Sequence, residues 1–246
     1  MKKQKLSDPK YLAFLSELET SFQESDALIH DARNQLKRIN FQGEALIVKS
    51  FKVPHLLNRV VYSFFRQSKA KKSYLFAEKI GHFTAEPIAY IEYYQQGLIS
   101  KSYFIAKHYD FDFDIRRPLL EHDFPERELI FKGFSAFVYQ LHEHNILHLD
   151  LSPGNILIKR DDEGQYQFKI VDINRMKFKS LSEQTRAKNF SKLWANNEDL
   201  TVMLSEYATL AAYDHDSFIQ RGLRANQRNK NIINFKKRLK GHPVND

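Results

Sequence analysis

Apolar positions along this 246-residue chain fall into blocks of helical and of alternating spacing. Residues 8–24 carry Tyr11, Leu12, Leu15, Leu18 and Phe22 at helical intervals, which predicts a leading helix buried along that stripe. Alternation then takes over. Residues 27–30, 36–39 and 45–51 read as strands, the last two joined by a turn at Gln42-Gly43. Helical spacing returns from 57 to 80, with a break expected near Gln67-Ser68, and strands follow at 88–93 and 102–107 around a Gln-Gln-Gly turn. The second half is mainly helical. Residues 126–144 present Leu129, Ile130, Phe134, Phe137, Val138 and Leu141 as a buried stripe. Short strands at 156–159 and 168–171 flank a turn at Asp161-Asp162-Glu163-Gly164, and helices fill 182–240. The pattern predicts an α+β chain: a small sheet interrupted by a helix, a boundary near 107–112, then a helical half.

Composition narrows the picture. Hydrophobic residues make up 42% of the chain, enough for a sizeable core. No apolar run approaches the roughly 18 to 20 residues of a membrane-spanning helix. The first residues are basic but lack the apolar stretch and cleavage site of a signal peptide, so none is expected. With no cysteine, disulfides and cysteine–zinc sites are excluded, and the composition fits a cytosolic protein. The net charge of +8 is concentrated near the C-terminus, in a run of basic residues from Arg221 to Lys240. A solvated helix face explains such a run. So does attraction to an anionic membrane surface or a phosphorylated substrate. No recognition motif accompanies the charge, and nucleic acid is not expected.

The stretch from His148 to Asn174, HLDLSPGNILIKRDDEGQYQFKIVDIN, carries the chemistry. It places Asp150, then Asn155 five residues on, then Asp172 at the end of an apolar strand. Phosphoryl transfer from ATP needs one carboxylate to orient the attacking hydroxyl and oxygen ligands to hold magnesium on the phosphates. The segment supplies these types in the order H-x-D-x-x-x-x-N, two strands, D-x-x. Asp150 is the candidate base, Asn155 and Asp172 the candidate magnesium ligands, and His148 a brace for the loop. Upstream, Lys49 closes the run Leu46-Ile47-Val48-Lys49, matching the strand lysine that holds ATP phosphates. Such a lysine needs a glutamate on the following helix, and Glu78, late in that helix, is a weak candidate. No G-x-G-x-x-G occurs. The turn at 30–34 stands in its place, with Arg33 or backbone amides facing phosphate.

These motifs place the chain in the protein-kinase-like superfamily. Within it, LIVKSFKVP (46–54), RQSKAKKSY (66–74), TAEPIAYIE (84–92), HLDLSPGNILI (148–158) and FKIVDINRMKF (168–178) resemble the bacterial lipopolysaccharide core kinases, in particular the 3-deoxy-D-manno-octulosonic acid (Kdo) kinase group. The resemblance covers roughly residues 30–180. It implies one kinase-like domain over 1–246, with an antiparallel-sheet N-lobe to about 107, a helical C-lobe from about 108, and ATP between them. It further implies ATP and magnesium as cofactors, and a lipopolysaccharide or lipid A-core glycolipid substrate phosphorylated on a sugar hydroxyl. The expected location is cytoplasmic, peripheral to the cytoplasmic face of the inner membrane. Carried over, Lys49 holds ATP, Asp150 is the base, and Asn155 and Asp172 bind the metal. Departures point away from protein substrates. Ser152 replaces the protein-kinase lysine, Asp172-Ile173-Asn174 replaces D-F-G, no A-P-E follows, and Ser73 occupies the usual glutamate position. A compact atypical serine/threonine protein kinase and a pseudokinase scaffold are the alternatives.

Overall fold

The computed structural model describes residues 1–25, 27–31, 34–52 and 56–241, without the side chains of 30, 31 and 56–58. Residues 32 and 33 of the turn assigned to phosphate, Arg33 among them, lie outside the described residues. The chain divides into two compact units, Met1–Asp110 and Phe111–Asp246.

The first unit is a six-stranded antiparallel sheet with helices on its faces. In chain order it holds β1 (Lys2–Leu6), α1 (Leu12–Glu24), β2 (Leu28–Asp31), β3 (Asn34–Phe41), β4 (Glu44–Phe51), α2 (Leu56–Phe64), α3 (Lys69–Ile80), β5 (Pro87–Gln95) and β6 (Leu98–Lys107). The spatial order is β1-β5-β6-β4-β3-β2. Gln42 and Gly43 both take positive φ, 50° and 82°, the geometry that lets a two-residue turn follow the strand twist. Ser68 breaks the second helical block as expected, because its side chain accepts from the Lys71 amide and caps α3.

Strand alternation sorts this unit's interior into two layers. Leu46 and Val48 of β4 point with Ile91, Tyr103 and Ile105 towards α1, where Tyr11, Phe14, Leu15, Leu18 and Phe22 meet them. Phe51 points the other way, with Tyr90, onto Ala70 and Tyr74 of α3. One expected member of the α1 stripe is corrected: Leu12 is 53% exposed and Phe14 takes its place. Strand β1 is an unexpected addition. Its sequence KKQKL lacks apolar alternation, and backbone pairing with β5 holds it, Lys3 opposite Glu92 and Lys5 opposite Tyr90.

The second unit holds β7 (Phe113–Asp114), α4 (Arg116–Leu120), α5 (Arg127–Glu143), β8 (Ile146–His148), β9 (Ile156–Arg160), β10 (Tyr166–Ile170), β11 (Met176–Phe178), α6 (Glu183–Asn189), α7 (Asn197–Ala211) and α8 (His215–Leu239). Helix α5 buries Ile130, Phe131, Phe134, Val138 and Leu141, whereas Leu129, expected inside, is 53% exposed. Phe168 of β10 packs on Phe134 and Phe137 of α5, fixing the β9–β10 hairpin on that helix. Helices α7 and α8 cross where Gly222 leaves room for Leu204; a Cβ there would stand 2.3 Å from the leucine Cδ1. Tyr207 stacks on Phe218 across the same crossing, ring centroids 5.1 Å apart.

Candidate active site

Two short antiparallel pairings assemble the site. Strands β9 and β10 pair Ile156 with Ile170, so the residues just outside the hairpin's open end, Asn155 and Val171, become neighbours. The Val171 amide donates to the Asn155 carbonyl at 2.9 Å, and Asp172 follows directly. The second pairing sets His148 of β8 against Met176 of β11, which brings Arg175 beside the loop after His148. The Leu149 amide donates to the Arg175 carbonyl at 3.1 Å. Asp150 and Asn155, on one loop, are thus brought beside the loop that carries Asp172.

Hydrogen bonds fix several side chains in these loops. His148 is 1% exposed. Its Nε2 donates to the Val171 carbonyl at 3.0 Å and its Nδ1 accepts from the Asp150 amide at 3.1 Å, which fixes one neutral tautomer. Burial pushes its pKa down, so the ring stays uncharged and clamps the two loops together. The Asn155 Nδ2 donates to the Asp150 carbonyl at 2.8 Å and to Ser152 Oγ at 3.0 Å. That commits the amide nitrogen to the loop and turns the amide oxygen, a hard ligand suited to magnesium, the other way. Asp172 sits in the left-handed region at φ 54°, a conformation that costs an L-residue on the order of 1 kcal/mol and that aspartate tolerates better than most. Asn174 Nδ2 donates to its Oδ1 at 2.6 Å.

Asp150 itself is engaged by a residue absent from the sequence reading. Arg175 Nη1 donates to Asp150 Oδ2 at 3.2 Å, with both side chains well exposed. An exposed pair of this kind contributes about 0.2–1 kcal/mol, so an acceptor hydroxyl can displace it at small cost. Arg116 lies over Gly154 in the same loop, its guanidinium so close that any Cβ on Gly154 would displace it.

Behind the loop runs a buried hydrogen-bonded chain that spacing could not reveal. Asn189 Nδ2 donates to the His148 carbonyl at 3.0 Å, and Asn189 Oδ1 accepts from His142 Nε2 at 3.0 Å. His142 Nδ1 then accepts from the Tyr207 hydroxyl at 2.9 Å, and that hydroxyl accepts from Arg186 at 3.1 Å. Helices α5, α6 and α7 thereby hold the Asp150 loop from below. Burial pushes the His142 imidazole down to about 4. The unfolded chain protonates its histidines near 6.5, so between about pH 6.5 and 4 the unfolded state takes up a proton that the folded ring excludes. Stability is therefore unaffected by His142 above that window and falls as pH drops through it, by about 1.4 kcal/mol per unit and about 3 kcal/mol in all. Urea unfolding at pH 7 and pH 5 checks this. The wild-type loss between the two should exceed that of His142→Asn by roughly 2 kcal/mol; equal losses would exclude His142 as the source.

In the first unit, Lys49 lies on the α3 face of the sheet. It is paired with Leu36 of β3 and Phe104 of β6, and its ammonium stands 5.6 Å from the centre of the Phe51 ring. Glu78 does not wait for it. Both Glu78 oxygens accept from Lys5 of β1, at 2.7 and 2.8 Å. Ser73, at the family's usual glutamate position, is buried in α3.

Among the described residues no three acidic or histidine side chains cluster as a self-contained metal site. An asparagine and an aspartate beside substrate phosphates need no such cluster, because magnesium keeps water and phosphate oxygens in its shell.

The lipopolysaccharide kinase (Kdo/WaaP) family model matches residues 115–213, a span that contains Asp150, Asn155, Asp172 and Arg175. Over this segment the chain is similar to that family. It is a phosphotransferase with an alcohol group as acceptor, a kinase of lipopolysaccharide biosynthesis. None of the curated proteins compared matches the sequence. Among solved structures, one described as WaaP in complex with acyl carrier protein is similar over 92% of this chain and 99% of its own, at 14% identity and a TM-score of 0.61. That likeness shows the fold, an α+β protein-kinase-like architecture. No helix among the described residues is long and apolar enough to cross a membrane.

Proposed function

We propose that this chain transfers the γ-phosphoryl group of ATP, with magnesium, to a hydroxyl of Kdo in the lipopolysaccharide inner core of a bacterium, working on the lipid A precursor at the cytoplasmic face of the inner membrane. The observation that carries the reading is the convergence of Asp150, Asn155 and Asp172 on two loops clamped by His148. Asp150 accepts the hydrogen bond of the acceptor hydroxyl and takes its proton as the new O–P bond forms, while the bond to ADP breaks and ADP leaves with the electron pair. Asn155 and Asp172 supply the oxygen ligands for magnesium, which neutralises charge on the phosphates when bound. Lys49 supplies the positive charge for the phosphates from the first unit.

Arg175 supports an acidic sugar as acceptor. It already binds a carboxylate, that of Asp150, and an acceptor hydroxyl that displaces it leaves a guanidinium beside the reacting sugar. Kdo carries a carboxylate that can take the vacated position. Arg175→Gln is expected to raise KM for a Kdo acceptor roughly tenfold, the effect of one lost charge-assisted hydrogen bond of about 1.5 kcal/mol. KM for a neutral sugar acceptor should stay put; equal changes for both would remove the carboxylate from the account.

The whole reading is tested by incubating the chain with labelled ATP, with and without magnesium, and a Kdo-bearing lipid A precursor. Mass spectrometry of lipopolysaccharide from cells with and without the gene should show one phosphate lost in its absence. Transfer to protein but not to glycolipid would overturn it, as would no transfer at all.

A further inference from the structure

Helix α8 covers the core with Phe218 and Gly222 near its start, but beyond them it is arranged the wrong way round for that task. There the inner face is polar: Asn226 is fully buried and donates to the Ala195 carbonyl at 3.0 Å, and Asn229 donates to the Ser191 carbonyl at 2.9 Å. On the opposite side, Ile232, Phe235 and Leu239 stand in solvent, 45%, 62% and 72% exposed. Their spacing of three and four residues lines them up in one stripe. Continuing that stripe towards the helix N-terminus brings Arg228 and Arg224 onto the same face, with Arg221, which pairs with Glu183, beyond them. Lys236 and Arg238 flank the apolar end. Over its length the helix carries seven Lys and Arg against one Asp.

We propose that this face of α8 is a membrane-docking surface, in which Ile232, Phe235 and Leu239 enter the headgroup–acyl boundary of an anionic bilayer while the arginines bind lipid phosphates. An exposed apolar stripe rimmed by cations matches both layers of such a surface, the charged headgroups and the acyl region beneath them. The occupant follows from charge complementarity and from the glycolipid substrate proposed above. The choice of a bilayer rests on that reading, but lipid binding is measurable without catalysis.

The full-length protein is sedimented with phosphatidylcholine vesicles and with vesicles in which phosphatidylglycerol replaces part of that lipid. Wild type should bind the second kind only, less tightly as salt rises. Ile232→Ser/Phe235→Ser/Leu239→Ser should bind at least about tenfold more weakly, and Arg224→Gln/Arg228→Gln/Lys236→Gln on the order of 100-fold more weakly. Both triple variants replace solvent-exposed side chains. They should keep the wild-type circular dichroism and the wild-type rate on a soluble, deacylated acceptor. Unchanged binding by the apolar variant would overturn insertion. A wild-type chain that ignores vesicles but self-associates through this stripe, or binds acyl carrier protein there, would overturn the bilayer as partner. Vesicle binding by a chain inactive on the acceptor would support the surface while overturning the kinase reading.

Discussion

Asp150→Ala should lower kcat for phosphoryl transfer by about 10²–10⁴, the usual contribution of a positioned general base, with little change in KM for ATP. The loop itself should survive the change. Its geometry rests on the Asp150 backbone, whose amide donates to His148 and whose carbonyl accepts from Asn155, and alanine keeps both. The lost Arg175 pair is exposed and contributes little to stability. The thermal midpoint should therefore stay near wild type while turnover collapses, a combination that separates a chemical role from a structural one. Robust transfer by the alanine variant would sink the mechanism.

Asp172→Ala should be of comparable severity, with kcat down by on the order of 10³, because a main anchor for the metal and the charge compensation it brings to the phosphates would be gone. Its diagnostic is metal dependence. Raising magnesium should recover part of the activity of an Asp172→Asn variant, which keeps one oxygen ligand, and none of that of Asp172→Ala. The alanine variant also has to hold the left-handed backbone at residue 172, where aspartate is better tolerated. A parallel reading of stability distinguishes that strain from loss of the ligand. If magnesium titration moves both variants equally, Asp172 is not a metal ligand.

The grouping of the candidate residues that depends on local spacing was legible in the sequence. Asp150, Asn155 and Asp172 are brought together by a hairpin, which announces itself in apolar runs bounded by turn residues, and by the β8–β11 pair, which does not. Arg175 was not legible as a partner of Asp150, because the contact comes from β8–β11 register and two three-residue strands carry too little pattern to predict a register. Asn189, His142 and Tyr207 were out of reach for a related reason. Each is an ordinary helix residue until three helices pack, and their links span 41, 47 and 65 residues. The stripe errors have a narrower cause. Leu12 and Leu129 each lie at helical spacing beside a phenylalanine that the packing prefers, Phe14 and Phe131, and periodicity cannot rank two apolar neighbours. Strand β1 escaped because KKQKL carries no apolar alternation to read.

That edge strand settles how one side of the sheet ends. An outermost strand carries an unpaired row of amide and carbonyl groups, an open invitation for another chain to continue the ladder. Here the row belongs to a five-residue strand with lysine at positions 2, 3 and 5. Lys5 is held over the Tyr74 ring and against Glu78, and Lys3 over the Tyr94 ring, so the charges stay beside the rim. A strand from a second molecule would have to bring its own side chains up against three ammonium groups. At its β1 edge the six-stranded sheet therefore carries a barrier to polymerisation built from the least hydrophobic segment in it.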